Sequence, residues 1–194
     1  MLSHPRTFPA AERGTSMVEV LVTMVILAFG LLGVAALQTK VGVAEMESYQ
    51  RAQALLALSQ ISERMNANPS QAGAYVTAGA LGTGDAQPAT CTNPAGSPAL
   101  DLCEWSNSLK GAAEQSGSAK VGGMTEARGC ITQLQAPNPA LGVCTAGVYQ
   151  VAVAWQGLVQ TVTPNLACGA GSYGNDSYRR VVATTVTVPT TTCY

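Results

Sequence analysis

The residues able to do chemistry are few: one histidine, six cysteines and one glutamate set into an apolar run. His4 stands ahead of Gly14 in a short polar stretch, so a chain trimmed after Gly14 contains no histidine at all. Without one, neither a Ser-His-Asp triad, a Cys-His pair nor a His-ligated metal can form, which excludes most hydrolytic and metal chemistry. The cysteines are Cys91, Cys103, Cys130, Cys144, Cys168 and Cys193, and no C-x-x-C spacing occurs among them. A zinc site is therefore not expected. An even number of cysteines in an oxidising compartment reads as disulfides. Short closures within one region favour the pairs Cys91–Cys103, Cys130–Cys144 and Cys168–Cys193 among the possible connectivities.

Glu19 poses a different problem. It lies in Gly14-Thr-Ser-Met-Val-Glu19-Val-Leu, at the start of an apolar segment. An unpaired carboxylate near a bilayer costs free energy and calls for a cationic partner. Cleavage after Gly14 would make one, the α-amino group of Thr15. Within one chain about 6 Å of helix rise separates the two groups along the axis. A neighbour staggered by roughly one turn can bring its amine to this acid, so the charge sets the register of helices packed side by side. The alternative is a glutamate that snorkels to the headgroups.

The elements that must position these residues follow from composition. The 194-residue chain is 47% hydrophobic but only 11% charged, well under the ~25% charged of ordinary globular proteins. Its net charge is -1, with ten basic and eleven acidic residues. That balance disfavours a nucleic-acid module, which needs clustered positive charge. From Val20 to Leu37 no charge occurs over eighteen residues, about 27 Å of helix against a bilayer core of ~30 Å. The small residues precede this run and no A-x-A-like site follows it closely, so it reads as a retained anchor spanning about 17–38. His4, Arg6 and Arg13 on its N-terminal side place that end in the cytoplasm.

No proline occurs between Pro9 and Pro69, and residues 38–67 are rich in good helix formers. One long helix over 15–68 is expected, ending at Asn68-Pro69. Ala54, Leu58, Ile61 and Met65, with Leu55 beside them, make an apolar stripe, and Glu47 with Arg51 makes a favourable i, i+4 pair. Residues 69–147 hold twelve glycines and six prolines and read as a loop-rich excursion. From Val148 period-two alternation predicts strands over 148–156, 158–163 and 179–188. The fold class is thus α+β, a helix packed on a C-terminal antiparallel sheet and stapled by disulfides. Gly169-Ala-Gly-Ser-Tyr-Gly174 matches G-x-G-x-x-G but follows no strand and opens no helix, so it reads as a turn. Asn175-Asp-Ser177 reads as loop chemistry, and Arg179-Arg180 as paired or solvated charge.

The Gly14–Leu21 stretch, followed by its apolar helix, resembles the class III signal of type IV prepilins and pseudopilins. That resemblance implies a leader at 1–14, cleavage by a prepilin peptidase after Gly14, N-methylation of Thr15 and an assembly role for Glu19. Thr15 departs from the phenylalanine or methionine usual there. Tyr149–Gly157, Cys168 and Arg179–Val182 are similar to the minor pilins described as type IV pilus modification protein PilV, as are Ile26-Leu27, Gly30–Gly33 and Leu37-Gln38. The resemblance implies a pilin-like fold and a head over 69–194. It also implies a non-enzymatic, cofactor-free role in initiating assembly or at the pilus tip, with a part in adhesion in some members. Implied partners are other minor and major pilins, the peptidase and the assembly platform of the inner membrane, with no nucleic acid. The protein would reside in the inner membrane and then in the pilus at the cell surface. Ala36 stands where major pilins commonly carry a helix proline, so Gly30 and Gly33 are the expected soft point of the helix. A minor pseudopilin of a type II secretion system and a DNA- or host-ligand-receptor pilin remain open alternatives.

Overall fold

A computed structural model describes residues 16–111, 115–116, 119–120 and 124–190. Gly14, Thr15 and Cys193, with the expected leader, lie outside the described residues. The chain divides into two compact units, one up to Ala44 and one from Glu45 onward. Helix α1, Met17–Ala67, runs through the boundary.

In the first unit α1 begins at Ser16, whose hydroxyl accepts the Glu19 N–H at 3.2 Å. This is the N-cap position, and the same Glu19 N–H also bonds the Ser16 carbonyl at 2.9 Å, so the first turn shares its amide between the two Ser16 oxygens. Glu19 is the acidic residue of the first turn. Thr23 and Thr39 donate their hydroxyls back to the carbonyls of Val20 at 2.8 Å and Ala36 at 2.9 Å, so neither leaves a bare polar group in the apolar stretch. The apolar window of α1 is long and apolar enough to cross a membrane, and none of it is buried. The helix runs unbroken through Gly30 and Gly33.

In the second unit one face of α1 carries the core. Gln50, Ala54, Ala57, Leu58, Ile61 and Met65 are buried on it. Leu55, expected beside them, is 51% exposed. It stands about 100° round the helix from Ala54 and about 60° beyond Leu58, outside the stripe, which Ala57 closes on the other flank. The helix ends where expected: the Asn68 N–H bonds to the Met65 carbonyl at 3.2 Å, and Pro69 opens a 3-10 turn, Pro69–Tyr75.

A four-stranded antiparallel sheet faces this stripe, in the order β1-β4-β5-β6. Its strands are β1 Leu81–Gly82, β4 Arg128–Gln135, β5 Gly147–Gln156 and β6 Arg179–Val188. A separate hairpin pairs β2 Gln115–Ser116 with β3 Ala119–Lys120. β5 and β6 match over ten residues, from Gly147↔Val188 to Gln156↔Arg179. Tyr149, Val151, Val153 and Trp155 point from β5 into one cluster with Leu58, Ile61 and Met65. That is the expected packing of alternating apolar residues on the helix stripe.

Two expectations fail here. Residues 158–163 form no strand, and the second neighbour of β5 is β4, out of the segment read as loop-rich. The loop residues 158–163 have the composition of a strand, but β5, the neighbour expected for them, already has β4 and β6 on its two edges. That same segment also holds helix α2, Pro98–Leu109, capped by Ser97, whose hydroxyl accepts the Leu100 N–H at 3.2 Å. The α2 residue Trp105 is fully buried and donates its indole N–H to the Ala57 carbonyl at 2.9 Å. Its ring lies against Gly129 of β4 so closely that a Cβ there would overlap it. Glycine at 129 is what lets helix and sheet meet.

Candidate functional site

Among the sequence-predicted site residues, Glu19 sits at the positive end of the α1 dipole, where a carboxylate is favourable. The spacing Ser16-x-x-Glu19 is itself a capping-box signature, legible in the sequence. Gly14 and Thr15 are outside the described residues, so the distance from Glu19 to the α-amine is not part of this geometry.

The cysteines sort differently from the order expected. Cys91–Cys103 forms as expected, with a Cα separation of 5.9 Å. Cys130, however, bridges Cys168 rather than Cys144, with Cα atoms 5.8 Å apart, and this also removes the expected Cys168–Cys193 pair. Nearness in sequence was the wrong guide. β4 carries Cys130 to the face of the sheet that Ala152, Ala154, Cys168 and Tyr173 cover, whereas Cys144 lies beyond the far end of β4. Cys144 is disulfide-bonded too, and Cys193 is outside the described residues.

Charged groups missed by the sequence reading organise the head. Arg64 of α1 donates to Asp101 at 2.8 Å and to Glu104 at 2.6 Å, both on α2. Tyr75 is fully buried and donates a short hydrogen bond to the same Asp101. Burial and that bond push its phenol up to about 12. Burial of Arg64 opposes its charge, but the two carboxylates prevail and raise its pKa. Lys110 pairs with Asp85, which also accepts Ser106 Oγ at 2.7 Å and the Gly82 N–H at 2.9 Å. Burial alone would raise the Asp85 pKa; these donors, led by Lys110, outweigh it and lower the pKa. All these pairs join residues distant in sequence, and single-sequence periodicity carries no signal for them.

The expected Glu47–Arg51 pair gives way to a long-range one. Glu47 receives Arg180 at 2.9 Å and the N–H groups of Leu158 at 3.0 Å and Val159 at 3.3 Å. Three donors outcompete one solvated arginine a turn away. Desolvation pulls the Glu47 carboxyl upward, yet these hydrogen bonds hold it below its ordinary value. Arg179 is buried and donates to the carbonyls of Pro164, Leu166 and Cys168 and to Asp176. Both arginines are therefore paired, one of the two outcomes expected. Residues 169–174 turn, with Gly169, Gly171 and Gly174 at positive φ, and Asn175 Oδ1 accepts the Ser177 N–H at 3.0 Å.

Chemically these groups tie elements together. Among the described residues no cluster of His, Cys, Asp or Glu is arranged to hold a metal ion. A cavity of about 150 Å³ beside Pro69, Pro137, Tyr149 and Val188 is lined by no charged side chain. The two features of the chain that point to a role are thus an apolar α1 segment with an acid in its first turn, and a disulfide-stapled head built on the rest of that helix. No protein-family model, curated protein or solved structure matches the chain.

Proposed function

We propose that this chain is a membrane-anchored minor subunit of a type IV pilus, a structural and assembly protein rather than an enzyme. The observation that carries the reading is the placement of Glu19: an acid in the first turn of a helix whose apolar window is wholly unburied. A helix that offers apolar surface on every side needs lipid or other helices around it. An acid at its start then selects a partner bearing a cation at the matching height. In this reading the prepilin peptidase removes residues 1–14, and the amine of Thr15 becomes that cation for Glu19 of an adjoining pilin. The pilin-like layout is supported by a helix that continues from the apolar segment into a four-stranded antiparallel sheet's core. Partners on this reading are other minor and major pilins and the assembly platform of the inner membrane. Disulfides in the head fit an oxidising, extracytoplasmic location.

Mass spectrometry of membranes and sheared pili tests the proposal. The expected product begins at Thr15, and Glu19→Gln should leave membrane insertion intact while abolishing co-purification with other pilins. A membrane-bound protein that retains Met1 to Gly14, or a Glu19→Gln chain that co-assembles normally, overturns it.

A further inference from the structure

The loop between β5 and β6 ties part of its backbone to the body of the head and exposes apolar side chains. The Gly157 N–H bonds to the Tyr178 carbonyl at 2.8 Å, and the Leu158 and Val159 N–H groups bond to Glu47. The Val159 carbonyl accepts from Arg180 at 2.7 Å, and the Thr161 N–H bonds to the Ser177 carbonyl at 2.8 Å. Glu47 and Arg180 neutralise each other at the base of the loop, and Gly157–Thr163 itself contains no charge. On this loop Leu158 is 47%, Val159 46% and Val162 90% exposed. On α1, Met46 beside Glu47 is also about half exposed, at 48%. An aliphatic side chain this exposed gains nothing in water, and three within five residues form more than scattered surface.

The position of the loop in the chain says what would cover it. Glu47 lies near the start of the second unit, the end of the head from which α1 leads to the apolar segment. Lys40 is the first charge after the uncharged run and precedes Glu47 by seven residues. Whatever the conformation of that connection, seven residues reach at most about 25 Å. A head anchored by the preceding segment therefore keeps this loop near the bilayer surface. There, an uncharged loop with protruding aliphatic groups, several of whose backbone groups are already bonded, loses least on entering the interfacial layer.

We infer that residues 157–163 form a membrane-contact loop, with Leu158, Val159 and Val162 entering the headgroup–acyl boundary. The inference rests on the membrane-anchor reading of α1 but adds a second point of attachment, on the head itself. Its ligand is the lipid surface, and the contact is apolar rather than headgroup-specific. The loop would hold the head against the bilayer before the subunit is withdrawn.

The full chain reconstituted in phosphatidylethanolamine–phosphatidylglycerol vesicles with brominated acyl chains provides the test. Trp105 and Trp155 are buried, so tryptophan introduced as Val162→Trp reports on the loop. Leu141→Trp, at an 82% exposed site beyond the opposite end of β5, is the control. The expected result is quenching of Val162→Trp at least about twofold above that of Leu141→Trp, as for a side chain in the interfacial layer. Quenching no greater than the control overturns the inference. So does protection of Val162→Trp from acrylamide without bromolipid quenching, which would place a second protein chain over the loop. Carbonate extraction reads the anchor separately. A chain that resists extraction while Val162→Trp is unquenched keeps the anchor and loses the loop contact; an extractable chain with strong quenching does the reverse.

Discussion

Two stretches of the same helix obey different rules. Up to Ala44, α1 is exposed on nearly every side and holds its polar atoms by local means: the Ser16 cap and two threonine hydroxyls turned back on the helix. From Glu45, α1 is one-sided. Gln50, Ala54, Leu58, Ile61 and Met65 are buried, while Leu55 and Leu56 on the other flank remain half or more exposed. The lesson is that helix formation says little about surroundings. Uniform apolarity asks for a solvent made of hydrocarbon, and a stripe asks for a sheet.

The sharpest way to break this contrast is to remove the covalent ties of the head. Replacing Cys130 and Cys168 with alanine frees a loop of 38 residues and should cost about 4 kcal/mol; replacing Cys91 and Cys103, 12 apart, should cost about 3. Urea titration of the near-ultraviolet signal reads both losses, and an equal effect from the two pairs would contradict the loop-length ordering. Next in size, Ile61→Ala should destabilise the head by about 3 kcal/mol, since it opens a cavity in a fully buried site. Leu27→Ala, within the apolar segment, should leave the same urea midpoint unchanged. A shift from Leu27→Ala as large as that from Ile61→Ala would erase the distinction between the halves.

Smallest are the pH effects, confined to the head. Glu47 and Asp85 have lowered carboxyl pKa values, so their stabilisation is present above their ordinary values of 4.5 and 3.8 and fades as pH falls through the folded values. Tyr75 is shifted the other way. Its contribution is complete below its ordinary value of 10 and disappears as pH rises toward about 12. Thermal melts across pH should therefore show an acid arm removed by Glu47→Gln together with Asp85→Asn, and an alkaline arm removed by Tyr75→Phe together with Tyr173→Phe, whose phenol burial also raises. Arms that persist in those variants would assign the titration elsewhere.

What the sequence made legible follows the same division. The apolar segment, the stop at Asn68-Pro69, and β5 and β6 were readable because each rests on a local period or breaker. α2 was readable in principle: Ser97-Pro98 places a cap before a proline at the first helical turn. Its apolar residues are too few to show period 3.6 among so many prolines and glycines. β4 hides for a related reason, since its sequence RGCITQLQ pairs at one end with a bulge and leaves Leu134 in solvent. Disulfide connectivity and the Glu47–Arg180 and Arg64–Asp101 pairs depend on which strands become neighbours, and no period encodes that. The apolar end was plain in the residues, but the counter-ion proposed for Glu19 belongs to Thr15, outside the described residues.

The stretch between β1 and α2 is fastened through very few side chains of its own. Asn107 holds the carbonyls of Pro88 at 2.9 Å and Ala89 at 3.2 Å, Lys110 holds that of Gln87 at 3.1 Å, and Asn68 holds that of Gly96 at 2.8 Å. Its own side chains reach α2 and the residue after it from Asp85, Cys91 and the cap Ser97. Main-chain oxygens are the same whatever residue carries them. Thr90, Thr92 and Asn93 can thus be rewritten by mutation at little energetic cost, and lineages of this protein can change what this stretch displays while the body beneath it stays as it is.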